Sequence, residues 1–114
     1  MAAKNMIGGI RWAVRDRYEN DIYITKERWQ HIIDKNNHPE MSAYEKQLEQ
    51  TIISGNRKQD SLNPKKYRYT KSFANLKNDN THIVAIVLFK LKGSKVGKLM
   101  PNNYIVTAYQ KTIG

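Results

Sequence analysis

The sequence predicts one α+β domain over residues 1–114, in which two helices pack on one face of an antiparallel sheet. Three observations lead to this prediction. The chain has 114 residues, which is enough for one compact core and too few for two ordinary domains. Apolar residues recur at helical spacing between residues 26 and 54. After residue 65 their period falls to two, which is typical of strands.

The first part of the chain predicts two strands and a short helix. β-Branched and aromatic residues lie on both sides of YEND (residues 18–21), whose Asn and Asp favour a turn. Thr25 can cap the free amides of the helix that follows over residues 26–34. This helix should end by DKNNHP (residues 34–39), because the Asn pair favours turns and the proline disfavours helical geometry before it.

A second helix is predicted from Ser42, because Glu45 three residues later completes a capping box. The apolar residues that follow are four apart and share one helical face. Gly55 is placed to end the helix, and the polar stretch GNRKQDSLNPKK (residues 55–66) predicts a loop.

Three strands are predicted in the rest of the chain. KKYRYTKSF (residues 65–73) alternates, and THIVAIVLFKL (residues 81–91) is almost continuously apolar, as expected for a central strand. NNYIVTAYQ (residues 102–110) forms the last strand. The Gly- and Lys-rich stretch KGSKVGKLMPN (residues 92–102) predicts a mobile basic loop between the last two strands.

Regular alternation in the last strand puts the even residues of 104–108 on one face and the odd residues of 105–109 on the other. The sheet face turned away from the helices should then be lined by polar side chains instead of aliphatic ones. These are Arg68, Thr70, Thr107 and Tyr109.

Twenty Lys and Arg residues against ten Asp and Glu residues give a formal net charge of +10, spread along the whole chain. A surplus of this size favours a polyanionic partner, because neutralising phosphates releases counterions and raises affinity. Two alternatives could also explain the positive charge. It could serve solubility alone, or it could bind an anionic lipid surface, but lipid binding needs a basic amphipathic helix and the sequence shows none. Nucleic acid is therefore the first candidate partner.

Cysteine is absent, which excludes disulfides, thiolate catalysis and cysteine-ligated zinc. The longest apolar run, IVAIVLF (residues 83–89), is far shorter than a membrane span. The N-terminal residues lack the apolar region of a signal peptide. We therefore expect a cytoplasmic protein with no membrane partner.

Two of the three histidines, His31 and His38, lie on either side of the predicted helix end. Imidazole gains and loses a proton near neutral pH, so two imidazoles in one cleft can act as base and acid in one turnover. RNA cleavage needs such a pair. The base takes the proton of the ribose 2′-hydroxyl, whose oxygen attacks the phosphate, and the acid protonates the departing 5′-oxygen. We therefore expect both histidines to be catalytic.

Cations and hydroxyl donors near the phosphate would stabilise the charge that develops in the transition state. Arg68 is the candidate phosphate clamp, and Thr107 and Tyr109 can supply hydroxyl groups. The residues expected to contact the substrate are Arg68, Thr70, Lys66 and Lys90.

Each candidate also has a structural interpretation. His31 could be a half-buried packing residue, and His38 could only mark the entry to the second helix. HIIDKNNHPE (residues 31–40) holds four potential metal ligands, but their spacing matches neither the helical His pair of a metalloprotease nor a zinc-finger half-site. We therefore expect no metal and no other cofactor.

Three stretches, DIYITKERWQHI (residues 21–32), HPEM (residues 38–41) and NNYIVTAY (residues 102–109), resemble the signature of a nuclease superfamily. This is the phage-barnase, EndoU, colicin and RelE-like superfamily, which shares the BECR fold. The resemblance is to its small toxin- and phage-associated members, and it covers roughly residues 14–110 in the same order.

The resemblance implies a RelE- or barnase-like fold, with N-terminal helices bracing a curved antiparallel sheet. It also implies metal-independent endoribonuclease activity that leaves 2′,3′-cyclic phosphate ends. The family's histidines correspond to His31 and His38, and its closing hydroxyl groups to Thr107 and Tyr109.

Many members of the superfamily are toxins, so the resemblance implies a toxin–antitoxin or phage-defence system. The expected partners are then RNA and an acidic antitoxin or immunity protein. The alternatives are a non-catalytic RNA-binding module and a phage structural component with the same fold.

Overall fold

The computed structural model describes residues 9–93 and 96–113, and within these ranges it contains six strands and two α-helices. In chain order the elements are β1 (Ile10–Arg15), β2 (Asp21–Thr25), α1 (Lys26–Ile32), α2 (Glu45–Ser54), β3 (Asn56–Gln59), β4 (Lys66–Ser72), β5 (His82–Gly93) and β6 (Leu99–Lys111). Two 3₁₀ helices, Pro39–Ala43 and Lys77–Asp79, lie in the connections.

The six strands form one sheet in the order β1-β2-β6-β5-β4-β3. All neighbours are antiparallel except β2 and β6, which run parallel with Ile22 opposite Asn103 and Tyr23 opposite Tyr104. The α+β class is thus confirmed, but the sheet is mixed and the prediction of a purely antiparallel sheet is wrong. Parallel neighbours need a long crossover connection, which the intervening helices and strands supply.

The core lies between one face of the sheet and the helices. Trp29 and Ile32 point into it from α1, Leu48 and Ile52 from α2, and Met41 from the first 3₁₀ helix. They pack against buried side chains of four strands. These are Ile22, Ile24, Tyr69, Ile83, Ala85, Val87, Ile105 and Ala108. Burying each large aliphatic side chain stabilises the fold by about 1.5–3 kcal/mol, so this layer fixes which sheet face remains uncovered.

The caps of the two helices differ from each other. The Thr25 hydroxyl accepts a hydrogen bond from the Arg28 amide at 3.0 Å, which confirms the predicted cap of α1. The capping box predicted at Ser42 is wrong, because α2 begins at Glu45 and its N-cap residue, Tyr44, makes no side-chain cap. The Glu45 carboxylate is already bound by side chains of β1, so it does not reach back to the Ser42 amide.

Gly55 ends α2 as predicted, and its amide donates to the Thr51 carbonyl oxygen at 3.0 Å. Glycine is needed at this position because of close packing and not because of its backbone conformation. The backbone of Gly55 is extended, with φ −73°, which other residues also adopt. A Cβ atom here would lie 2.7 Å from the carbonyl oxygen of Thr70 and closer still to that of Thr51. Glycine is therefore required where α2 meets β4.

Strand β3 forms where the sequence predicted only a loop. It pairs antiparallel with β4 at one edge of the sheet, and its polar side chains show no apolar alternation. The turn between β3 and β4 is held by Asp60, whose Oδ1 accepts hydrogen bonds from the amides of Leu62 at 2.7 Å and Asn63 at 2.9 Å. The predicted loop is thus reduced to this turn.

The basic loop predicted over residues 92–102 is also shorter than expected. Strands β5 and β6 continue to Gly93 and Leu99, which pair with each other. Residues 94 and 95, which belong to the predicted loop, lie outside the described residues.

Candidate nucleic-acid interface

The sheet face turned away from the helices is called the open face below. Strand pairing places its side chains in three rows that cross the sheet. The first is Lys58–Arg68–Ile86–Thr107, the second is Lys66–Leu88–Tyr104–Tyr23 and the third is Asn56–Thr70–Val84–Tyr109. The four polar residues predicted for this face therefore lie on it. The prediction that it lacks aliphatic residues is wrong, because β5 contributes three of them.

A β-bulge in β6 decides which side chains reach the open face. Ile86 pairs with Thr107 and Val87 pairs with Ile105, so Val106 is an extra residue without a partner on β5. The simple alternation predicted for residues 104–109 is therefore wrong. The bulge puts Tyr104, Thr107 and Tyr109 together on the open face, whereas Ile105 and Ala108 enter the core.

The first hollow of the open face has a volume of about 390 Å³ and lies over β3, β4, β5 and β6. Its charged lining consists of three cations, Lys58, Lys66 and Arg68, and one carboxylate, Asp60. The Lys66 Nζ lies 4.0 Å from Asp60 Oδ2. Hydrogen bonds from two backbone amides lower the pKa of Asp60, and the nearby Lys66 adds to this effect. The hollow thus keeps a net positive charge, and Tyr109 provides an aromatic wall.

His38 lies beside this hollow. Its ring centroid is 5.6 Å from that of Tyr109, at an interplanar angle of 30°. The His38 Nδ1 atom lies 3.8 Å from Glu40 Oε2, and the side chain is 33% exposed. The backbone amide of His38 donates to the Ile32 carbonyl oxygen at 2.9 Å, which folds the loop back onto the end of α1. An accessible imidazole with a carboxylate neighbour is thus held against an aromatic residue of the open face.

His31 is placed differently. It is exposed on α1 and lines a hollow of about 300 Å³ with Thr25, Glu27 and Arg28. The loop after α1 brings the backbones of the two histidines close, because the Asn37 side-chain amide donates to the His31 carbonyl oxygen at 3.0 Å. The imidazoles nevertheless face different surroundings, and none of the hollows described here is lined by both.

The remaining predicted residues lie on or beside the open face. Thr70 and Thr107 are half-buried in adjacent rows, and Arg68 is exposed between β3 and β5. Lys90 is exposed further along β5, with its Nζ 5.9 Å from the ring centroid of Tyr104. Six residues that are separate in sequence, Lys66, Arg68, Thr70, Lys90, Thr107 and Tyr109, are therefore brought to one surface by the sheet.

Sequence reasoning did not single out some residues of this surface. The sequence pattern predicts a loop at Lys58 and indicates no role for Tyr23 or Tyr104. Lys58 lines the first hollow, whereas Tyr23 and Tyr104 line a second hollow of about 190 Å³ together with Thr25, Arg28 and Ile105. The alternation in DIYIT was the available signal, since it places Tyr23 opposite the buried Ile22 and Ile24.

Among the described residues, no three His, Asp or Glu side chains come together in a group that could hold a metal ion. In the same part of the chain, no helix has the length and apolar character that a membrane span requires. Comparisons with models of protein families, with curated proteins and with solved structures give no match.

Proposed function

We propose that this protein is a cytoplasmic, metal-independent endoribonuclease that binds RNA across its open face. The observation that supports this proposal most strongly is the position of His38. Its ring packs on Tyr109, which lines the same hollow as Lys66 and Arg68. A group that can transfer a proton, an aromatic residue and two cations therefore meet at a surface open to solvent.

In the proposed reaction, Arg68 and Lys66 bind the scissile phosphate. His38 takes the proton of the ribose 2′-hydroxyl, and the 2′-oxygen attacks phosphorus. The bond from phosphorus to the 5′-oxygen breaks, and an acid protonates that oxygen. The products are a 2′,3′-cyclic phosphate and a 5′-hydroxyl group. Glu40, near Nδ1 of His38, would stabilise the imidazolium that forms.

Two residues are candidates for the acid. His31 is the one predicted from the sequence, and Tyr109 is the one that lines the first hollow. The position of Tyr109 favours its phenol, so Tyr109→Phe should slow cleavage more than His31→Ala. The comparison is made by initial rates of cleavage of a single-stranded RNA, with folding of each variant checked by circular dichroism.

The proposal is tested by incubating the purified protein with total RNA in excess chelator and analysing the new ends. Cyclic phosphate ends are expected. Intact RNA, or cleavage that stops when the chelator is added, would contradict the proposed chemistry.

The second candidate is a non-catalytic RNA-binding module. It is favoured by the separation of His31 and His38 into different surroundings, because the sequence-based mechanism needs both imidazoles in one cleft. Such a module would bind RNA, and the RNA would remain intact in the assay with total RNA and chelator.

We also propose that the nuclease is a toxin controlled by an acidic antitoxin or immunity protein. A net charge of +10 and the cations of the open face would complement an acidic inhibitor. Bound there, the inhibitor would exclude RNA. An acidic partner that binds the protein without slowing RNA cleavage would contradict this assignment.

A further inference from the structure

We infer that the second hollow is a subsite for one unpaired nucleobase, which stacks on Tyr104 while Lys90 and Arg28 contact the neighbouring phosphates. The inference rests on the proposed function, because it places a nucleotide next to the one whose phosphate occupies the first hollow. It adds a preference for single-stranded substrate.

The two hollows belong to one continuous surface. Lys66 lines the first and Tyr104 lines the second, and both lie in the same row across the sheet with Leu88 between them. Two strand spacings separate them, or about 10 Å. A single strand that lies across the sheet would therefore contact both hollows through successive nucleotides, over an apolar floor at Leu88.

The aromatic rings of the second hollow suit a base. The ring centroids of Tyr23 and Tyr104 are 6.0 Å apart at an angle of 43°, so the rings form an angled platform. The Tyr23 hydroxyl donates to Asn102 Oδ1 at 2.7 Å, which holds this ring in place. Stacking of bases on aromatic side chains is tolerant of sequence, because every base presents a π-face.

The charges around the platform suit phosphate. Lys90 lies over the Tyr104 ring, and Arg28 lines both the second hollow and the hollow of His31. Within the described ranges, neither cation forms an ion pair with a carboxylate. Both are therefore available to a bound anion. A duplex would keep its bases paired, so only an unpaired strand can place a base between these cations.

The test measures binding of a short single-stranded oligodeoxythymidylate, which has no 2′-hydroxyl and so is not cleaved. Tyr104→Ala should weaken binding about five- to 150-fold, the range given by loss of one base–aromatic contact. Tyr104→Phe keeps the ring and should bind within about twofold of the wild type. Tyr18→Ala is the matched control, because Tyr18 is an exposed tyrosine that lines none of the three hollows.

Two further measurements separate stacking from charge. Annealing the same oligonucleotide to oligodeoxyadenylate should remove most of the difference between Tyr104→Ala and the wild type. Lys90→Gln changes an exposed side chain and should reduce the slope of log affinity against log salt by about 0.7, as expected for one contact to single-stranded phosphate.

Equal binding by the wild type and Tyr104→Ala, or an unchanged salt slope in Lys90→Gln, would overturn the subsite. No binding of the single strand by the wild type would overturn it as well. The proposed nuclease activity is judged separately by the ends formed in chelator. A protein that cleaves RNA but binds equally well without the Tyr104 ring retains the function and loses the subsite.

Discussion

At the scale of single residues, Tyr69 and Asp16 form a polar contact inside the core. The Tyr69 hydroxyl donates to Asp16 Oδ2, and the Asp16 side chain is fully buried. Asp16 Oδ1 accepts hydrogen bonds from the amides of Tyr18 at 2.9 Å and Asn20 at 2.8 Å, which fixes the β1–β2 turn. Arg57 lies 4.0 Å from the carboxylate and offsets its charge. One buried carboxylate thus connects the β1–β2 turn to β4.

Tyr69→Phe should lower the free energy of unfolding by about 1–3 kcal/mol, because Asp16 loses a donor while it stays buried. Burial, and then the hydrogen bond to Asp16, raises the pKa of Tyr69 above its ordinary value. The unfolded chain therefore releases the phenolic proton first, and stability falls as the pH rises above about 10. Urea unfolding near pH 8 and above pH 10 should show a smaller alkaline loss in Tyr69→Phe than in the wild type. An equal loss would contradict the assignment.

Glu45 joins β1 to the start of α2. Its carboxylate is bound by Nε of Arg11, by Nη2 of Arg11 at 2.9 Å and by the Trp12 indole N–H at 2.8 Å. The hydrogen bond from Arg11 is the main reason that the pKa of Glu45 is lowered. The ionised form is therefore favoured in the folded protein.

Glu45→Gln should cost about 1–2 kcal/mol at neutral pH, because charge-assisted hydrogen bonds are replaced by weaker ones. In the wild type this stabilisation is present above the ordinary glutamate pKa of about 4.3 and is lost as the pH falls through the lowered folded value. The variant should therefore lose less stability between pH 5 and pH 3 in urea unfolding. Glu49→Gln, on the same helix, is the control and should follow the wild type.

At the scale of elements, the sequence predicted the features that are fixed by contacts between residues close together in the chain. The cap at Thr25 and the alternation of β4 depend on neighbours in sequence, whereas glycine at the end of α2 is also required by the backbone of β4 at Thr70. The bulge at Val106 and the edge strand β3 do not depend on such neighbours, because each is fixed by pairing with a distant strand. Ser42 shows the same limit, since the capping box it predicted is lost when Glu45 binds side chains of β1.

Gly55→Ala should lower the free energy of unfolding by about 1–3 kcal/mol, because the added methyl group meets two backbone carbonyl oxygens that cannot move independently. Gly93→Ala is the matched control, since a Cβ at that position would meet no described atom within 4 Å beyond the glycine and its chain neighbours. It should change stability by less than about 0.5 kcal/mol. Thermal and urea unfolding of both variants measure the difference, and equal effects would contradict the packing argument.

At the scale of the whole molecule, the sheet collects side chains from five strands on one basic surface. The sequence predicted Arg68, Thr70, Thr107 and Tyr109 for this face, and strand pairing places them there. It could not predict how loops bring histidines to the surface. Hydrogen bonds at the end of α1 determine that His38 meets Tyr109, whereas His31 stays on the helix with Arg28 as a neighbour.

A cleavage site at His38 and Tyr109 is tested most directly by the single-turnover rate of cleavage of a single-stranded RNA in excess chelator, with RNA affinity measured on the same variants. His38→Ala should reduce the rate by about 10²–10⁴, the usual contribution of general acid–base catalysis, and leave RNA affinity nearly unchanged. His82→Ala, which removes the histidine at the start of β5, should cleave like the wild type. A His38→Ala variant with wild-type rate, or equal losses in both variants, would contradict a cleavage site at His38 and Tyr109.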